Sequence, residues 1–440
     1  MRDGGPVTKK PPLPNFFKSF DLPKVFDIVP LISPLNLPQK FFWKKDSEFV
    51  VIRYPRCSQQ LASHLKLDRD VSFEELKNYF YGDNCLASIS PEISLHTLAV
   101  TNDPEYTNQT HLTSLHATEA YNFLYGPSGP TSQVTIAIID SGVDIDHEDF
   151  SGNLWVNSNE TAGNSVDDDH NGYVDDVNGY NFASNTANPR PQAWPAPNTG
   201  GESHGTHVAG LAAAKADNSK GIAGVMGKNI KIMSLNVFGA TAGASTTNII
   251  NAIYYAIDNG ADIINLSLGG YGVSESIFQA LKNAAASGVM VFAAAGNDGS
   301  LLDDGHFILP ASYAQSIMGV LSVGATDDND GKIAWFSNYS SRYVEIASSG
   351  THSGNNGLKS TLPGNSYGFK QGTSMATPVA AGVAAWAISY LKSLGVTPTP
   401  MLVEQFLQET SDTVPDLYGK VSRGQRLNLL SLVNKIGDCF

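Results

Sequence analysis

From Val134 onward the chain alternates two kinds of apolar pattern. Short runs of β-branched and aliphatic residues, such as Val134–Asp140, Ile230–Val237 and Val289–Ala294, have the length and content of strands buried on both faces. Between them, apolar residues recur at intervals of three and four. In Thr246–Asn259 they stand at 249, 250, 253 and 257, one face of a helix. Strand Asp262–Leu268, helix Ser274–Ser287 and strand Met318–Val323 continue the rhythm. Repeated strand–helix–strand units predict an α/β fold, a mainly parallel sheet with helices on both faces. Ligand sites of such sheets collect beyond the carboxyl ends of the strands. No internal repeat is present.

The first 100 residues break this rhythm. Residues 1–41 are rich in Pro, Phe and Lys and read as an irregular leader. Glu48–Arg53 carries a strand-like run, and Phe73–Tyr81 reads as a short amphipathic helix. Residues 42–100 are therefore expected to form a small α+β unit, set off from residues 101–440 by the polar turn Thr101-Asn102-Asp103-Pro104. Val25–Leu37 is a poor signal-peptide core, broken by Asp27, Pro30, Pro34 and Asn36. No apolar run approaches the ~20 residues of a membrane span.

Composition narrows the class. With 42% hydrophobic and 16% charged residues and 41 glycines, the chain reads as a packed enzyme rich in tight turns. A net charge of −14 argues against nucleic acid or anionic membrane as its main partner. Cys57, Cys85 and Cys439 supply no disulfide framework; the first two can pair, or all three can remain thiols.

Four short motifs carry candidate chemistry. Asp140-Ser141-Gly142 follows an apolar strand, which poises an acid over the sheet edge. His204-Gly205-Thr206-His207 opens a small-residue segment suited to a tightly packed helix. Two histidines three apart also suit metal ligation, but the intervening Glu of the common zinc signature is missing. Ala293-Ala294-Ala295-Gly296-Asn297 leaves a groove wall of small residues with one amide donor. Gly372-Thr373-Ser374-Met375-Ala376-Thr377-Pro378 places a serine at a helix start, with Pro378 expected in the first turn. Each has a bland reading as a turn or cap. Together they contain a nucleophile, a base, an acid that orients the base, and a donor for an oxyanion.

In the order Asp, His, Asn, Ser, over roughly residues 102–391, these motifs resemble the subtilisin-like serine peptidases (subtilases). The resemblance implies a three-layer α/β/α subtilisin-like fold and a serine endopeptidase that cuts protein or peptide substrates. It makes Ser374 the nucleophile, His204 the base and then acid, Asp140 the orienting acid, and Asn297 the oxyanion donor. Ser267, Leu268 and Gly269 would pair with the substrate backbone. Ala294, Ala295 and Gly296 would line the pocket for the residue before the scissile bond. Leu309-Pro310-Ala311 resembles the segment near that pocket's base, and Ile308 would make the pocket shallow and suited to medium apolar residues. Val379 and Ser348-Ser349 depart from the usual family pattern, at positions that affect packing rather than chemistry. The family implies a propeptide as well. Residues 42–100 are placed like one, as an intramolecular inhibitor removed by cleavage within Ser90–Asn102. A secreted or periplasmic monomer is the matching expectation. An idle, purely binding version of the fold and a peptide ligase are the rival readings.

An acidic insert precedes His204. Asp167, Asp169 and Asn171 alternate before Gly172, as at the start of an EF-hand loop. The Tyr173 carbonyl and Asp175 or Asp176 would complete a calcium site, since position 178 is Asn rather than the closing Glu. A second calcium loop, Asp217-Asn218-Ser219-Lys220-Gly221-Ile222, resembles that of the family, with Asn218 and Asp149 as ligands.

Overall fold

The computed structural model describes residues 101–126, 129–193, 200–238 and 243–440, together with the backbone of five strands between 42 and 91. The expected leader 1–41, the helix at Phe73–Tyr81, Cys57, Cys85 and most of the cleavage window lie outside the described residues. The chain divides into two compact units, Met1–Thr97 and Leu98–Phe440.

In the first unit the strands are β1 (Phe42–Trp43), β2 (Glu48–Arg53), β3 (Ala62–Lys66), β4 (Val71–Ser72) and β5 (Leu86–Pro91). Strand β2 covers the apolar run read from the sequence and lies between β3 and β5, antiparallel to both. Strands β1 and β4 form a separate antiparallel pair.

The second unit is built on a nine-stranded sheet. Its strands begin with β6 (Val134–Asp140), β7 (Gly179–Asn181), β8 (Ile230–Asn236) and β9 (Ile263–Leu266). A two-residue strand β10 (Gly270–Tyr271) precedes β11 (Met290–Ala294) and pairs, antiparallel, with β12 (Ile308–Leu309). Then come β13 (Val320–Asp327), β14 (Ile346–Thr351) and the separate antiparallel pair β15 (Leu358–Leu362) and β16 (Ser366–Lys370). Strands β17 (Asp412–Thr413) and β18 (Gln425–Arg426) finish the edge. The order is β17-β18-β14-β13-β11-β9-β6-β8-β7. Every pairing is parallel except that of β17 with β18.

Alternation along β6 explains the layers. Val134, Ile136 and Ile138 enter one hydrophobic cluster, while Ala137 and Ile139 enter another on the opposite face. Two short helices, α1 (Thr110–Ser114) and α2 (Ala117–Leu124), precede this strand. Helices α3 (His204–Ala213), α4 (Thr246–Asp258), α5 (Glu275–Ala286), α6 (Thr373–Ser393), α7 (Pro400–Thr410) and α8 (Leu429–Cys439) follow. Residues of α3, α6 and α8 pack into the first cluster, and those of α4 and α5 into the second. The result is the expected three layers with a mainly parallel centre. Among the described residues α6 is the one helix long and apolar enough to cross a bilayer, but 94% of its most apolar window is buried, as in a core helix.

Candidate active site

Asp140 closes β6 and is wholly buried. Its carboxylate accepts from the Ser141 amide at 2.7 Å and faces Nδ1 of His204 at 2.8 and 3.0 Å. That contact fixes the imidazole so that Nε2 is the nitrogen left for chemistry. His204 begins α3 and is half-buried. Glycine is required at 205, where a Cβ would stand 2.4 Å from the Gly142 carbonyl oxygen and 3.1 Å from Asp140. The second histidine of the motif serves the core. His207 Nε2 lies 3.1 Å from the Leu358 carbonyl, and burial holds its pKa down to about 3, so it stays neutral. The two histidines are therefore not a metal pair.

Ser374 is the second residue of α6. Pro378 is the sixth residue, not in the first turn as expected from sequence, and the difference has a consequence. A proline has no N–H, so the carbonyl four residues earlier, that of Ser374, has no helical partner. The Ser267 hydroxyl donates to that carbonyl at 2.8 Å, and the Ser374 hydroxyl donates back to the Ser267 carbonyl at 3.1 Å. The nucleophile residue is thus tied at two points to the segment that follows β9. Ser267, expected to pair with the substrate backbone, also supports Ser374.

Asn297 follows β11 and is exposed. Its carboxamide oxygen accepts from the Thr373 amide at 2.8 Å and the Thr373 hydroxyl at 3.0 Å. With the oxygen held, the NH₂ end is the one free to donate. Thr373 is itself buried, and its hydroxyl also accepts from the Gly296 amide at 3.1 Å. Thr373 was missed from sequence, although its place directly before the serine was the available signal.

Ser374 and Asn297 line a cavity of about 300 Å³. Leu268, Gly269 and Gly270 form one wall, with Ala294 and Gly296 opposite and Ile308 between them. Ala295 is buried behind the wall rather than on it. Gly296 has φ +100°, and a Cβ there would come within 2.6 Å of the Ile308 side chain. Ile308 therefore packs directly against Gly296 in the pocket lining. Two residues not anticipated, Tyr271 and Asp298, close the rim through a 2.6 Å bond from the phenol to the carboxylate. Lys370 is half-buried near the dyad and donates to the Gly200 carbonyl at 3.2 Å. Burial lowers its pKa, against the raising fields of Glu202 and Asp140.

The acidic insert is built differently from the EF-hand reading. Asp169 and Asp176 converge, but with Glu160, whose carboxylate comes within 4.8 Å of theirs. Asp167 caps the turn at Asn171 and Gly172, and Asp175 accepts from the amides of Asn164 and Ser165, so both point elsewhere. Asn171 donates its amide to Asp169 and Asp176, while its oxygen holds the Tyr173 amide. The Tyr173 ring packs edge-on against Tyr180, Phe182 and Tyr255, and the Tyr255 hydroxyl donates to Asp176. Burial raises the pKa of Asp176. An all-oxygen, partly buried, anionic donor set fits a hard divalent cation. In the second loop, Asn218 donates to Asp149 at 2.8 Å, and Asp103 holds the amides of Asp217 and Asn218. Burial also pushes Asp149 and Asp103 up. Neither Glu160 nor Asp103 carries a sequence signal beyond its acidity.

The subtilase family model matches residues 131–427. The thermophilic serine proteinase of Bacillus sp. (strain AK1) is 32% identical over 308 residues, covering 69% of this chain and 63% of that protein. Thermitase of Thermoactinomyces vulgaris is 34% identical over 293 residues, covering 66% of this chain and 86% of thermitase. The halolysin-like extracellular serine protease Nep of Natrialba magadii is 36% identical over 341 residues, covering 78% of this chain and 53% of Nep. The chain thus spans less than two thirds of two of these relatives. A solved structure of proteases from Pseudoalteromonas arctica superposes with a TM-score of 0.59 at 27% identity, covering 77% of this chain and 99% of that one. Fold, motif order and matched span agree, and the chain belongs to the subtilase family of serine-type endopeptidases.

Proposed function

We propose that the chain hydrolyses internal peptide bonds of proteins through Asp140, His204 and Ser374, with Asn297 as oxyanion donor. The observation that carries this reading is the buried Asp140 carboxylate on Nδ1 of His204, 2.8 Å away. Ser374 Oγ leaves the Ser267 carbonyl, gives its proton to His204 Nε2 and bonds to the scissile carbonyl carbon. The carbonyl oxygen becomes an oxyanion, met by Asn297 Nδ2 and the backbone at the start of α6. The C–N bond then breaks, and the leaving amine takes the proton from Nε2. Water, deprotonated by the same nitrogen, attacks the ester and frees Ser374. The cavity beside Ser374, narrowed by Ile308, suits a medium apolar residue before the scissile bond.

Residues 42–100 would act as a propeptide that occupies the groove until cleavage within Ser90–Asn102. Glu160, Asp169 and Asp176 would hold one structural Ca²⁺, and Asp149 with Asn218 a second, each pinning a loop rather than taking part in the reaction. A location outside the cell matches the relatives whose names state it. A fluorophosphonate probe tests the core of the proposal. Labelling of the folded wild type that is abolished in Ser374→Ala is expected, and folded wild type that takes no label would refute it. Sequencing the N-terminus of the active form tests the propeptide. An intact N-terminus on fully active protein would refute cleavage.

A further inference from the structure

The mechanism needs Asn297 aimed to within a fraction of an ångström, yet Asn297 is exposed and lies on a turn. Thr373 holds its oxygen, but something must hold the turn itself. Asn338, on the connection between β13 and β14, is fully buried and commits its backbone amide and its whole carboxamide to that turn. Its backbone amide donates to the Gly296 carbonyl at 2.9 Å. Its Nδ2 donates to the Ala295 carbonyl at 3.0 Å and to the Asp298 carboxylate at 3.4 Å. Its Oδ1 accepts from the amides of Asp298 at 3.1 Å and Ser300 at 3.0 Å. The carboxamide's donors and acceptor are therefore all engaged. The bonded residues are 295, 296, 298 and 300, which bracket Asn297 on both sides. The packing is close, since a Cβ on Gly296 would stand 2.4 Å from Asn338 Nδ2. Asp298 passes the constraint onward, because the oxygen that meets Asn338 also accepts from Tyr271 on the far rim.

We propose that Asn338 is the positioning residue of the oxyanion donor. It locks the 295–300 turn so that Asn297 Nδ2 meets the carbonyl oxygen only as that oxygen gains charge. This rests on the reading of Asn297 given above. Asn338 touches no substrate and acts wholly through the turn. A residue with this role changes kcat rather than KM, and its effect disappears when the donor it aims is gone. A residue that merely stabilises the fold gives the same loss in either background.

The test is a double-mutant cycle on a peptide substrate, with rates normalised to folded protein by circular dichroism. Asn297→Ala is expected to lower kcat about 10²–10³-fold, a magnitude known from subtilisin itself. Asn338→Ala is expected to lower kcat about 10–100-fold with KM changed less than about threefold, because small misplacements cost that much. In the Asn297→Ala background the same change should cost less than about threefold. The cycle is repeated with Asn338→Ser, a smaller neutral residue that keeps the backbone amide's bond to the Gly296 carbonyl and brings no buried charge beside Asp298, for use when alanine does not fold. Equal losses in both backgrounds, or a rise in KM with kcat intact, would overturn the proposal while leaving the oxyanion reading standing. An unchanged kcat in Asn297→Ala alone overturns that reading, and the role of Asn338 with it.

Discussion

The cleft and the acidic insert solve the same problem, fixing a loop against the sheet, with opposite means. In the cleft, apart from the carboxylates of Asp140 and Asp298, the bonds are between neutral groups. Ser267 and Ser374 exchange two hydrogen bonds, Thr373 holds Asn297, and Asn338 holds the turn. Every one of these closes without an added ion. In the insert, Glu160, Asp169 and Asp176 point their carboxylates at one another, with only Asn157, Asn171, Tyr255 and backbone amides as donors. Converging like charges raise one another's free energy unless a cation joins them. Shape is therefore built into the cleft by the polypeptide alone, whereas the insert, on the calcium reading proposed above, would be completed by an ion from solution.

The largest expected effect isolates the cleft. Ser374→Ala should lower kcat about 10⁵–10⁶-fold, measured on a peptide substrate, with the melting temperature nearly unchanged. A retained rate would remove the nucleophile from the account. Next comes the ion. Chelation should cost about 3–4 kcal/mol of stability relative to calcium at several hundred times its Kd, read as a fall in melting temperature. Glu160→Gln should abolish the insert's share of that calcium dependence and leave the share of the Asp149 and Asn218 loop. At 25 °C the folded chelated enzyme should keep its kcat within about twofold. A collapse of kcat on chelation, with the fold intact by circular dichroism, would break the comparison.

A smaller effect comes from a carboxyl in neither region. Burial, with the charge of Glu404 adding and Arg423 opposing, pushes Glu345 up to about 7. Its ordinary pKa is lower, so the folded state binds the extra proton and the unfolded state releases it. The associated stability is present at pH 4.5 and is lost as pH rises through about 7. Glu345→Gln should match wild type in thermal melts at pH 4.5 and exceed it by about 2 kcal/mol at pH 8. An equal gain at both pH values would exclude the proton linkage. The smallest effect returns to the cleft. Ser267→Ala leaves the Ser374 carbonyl unpartnered and should cost about 1–2 kcal/mol in urea unfolding. No change would show that the carbonyl finds another donor.

Regular, buried elements were the legible part of the fold. The β6 run Val134–Asp140 is apolar throughout because both faces are covered, and its bounds match the expected ones. Helix α4 showed its inward face through Ile249 and Ile253. The two-residue strands β10, β12, β17 and β18 have no period to display, since their place is set by partners distant in sequence. The site divides the same way. Asp140, His204, Asn297 and Ser374 stand out in the sequence because each belongs to a short motif beside a glycine at a strand end or helix start. Asn338 does not, because its role arises from a turn some forty residues away. Asp167 and Asp175, which the structure shows accepting backbone amides, illustrate a related point. A carboxylate that caps a backbone turn and one that faces a cation look alike in a string of letters.

The gap left by Pro378 also bears on which substitutions the chain can tolerate. Position 378 withholds a donor and position 267 supplies one, so the two are a lock and its key in mutational terms. While proline stays, a hydroxyl at 267 is favoured by the cost of leaving that carbonyl unpartnered. Pro378→Ala would restore a helical amide to the Ser374 carbonyl and release 267 from that duty. Change at either position is therefore conditioned on the other. The order in which they vary decides whether an intermediate sequence carries that cost.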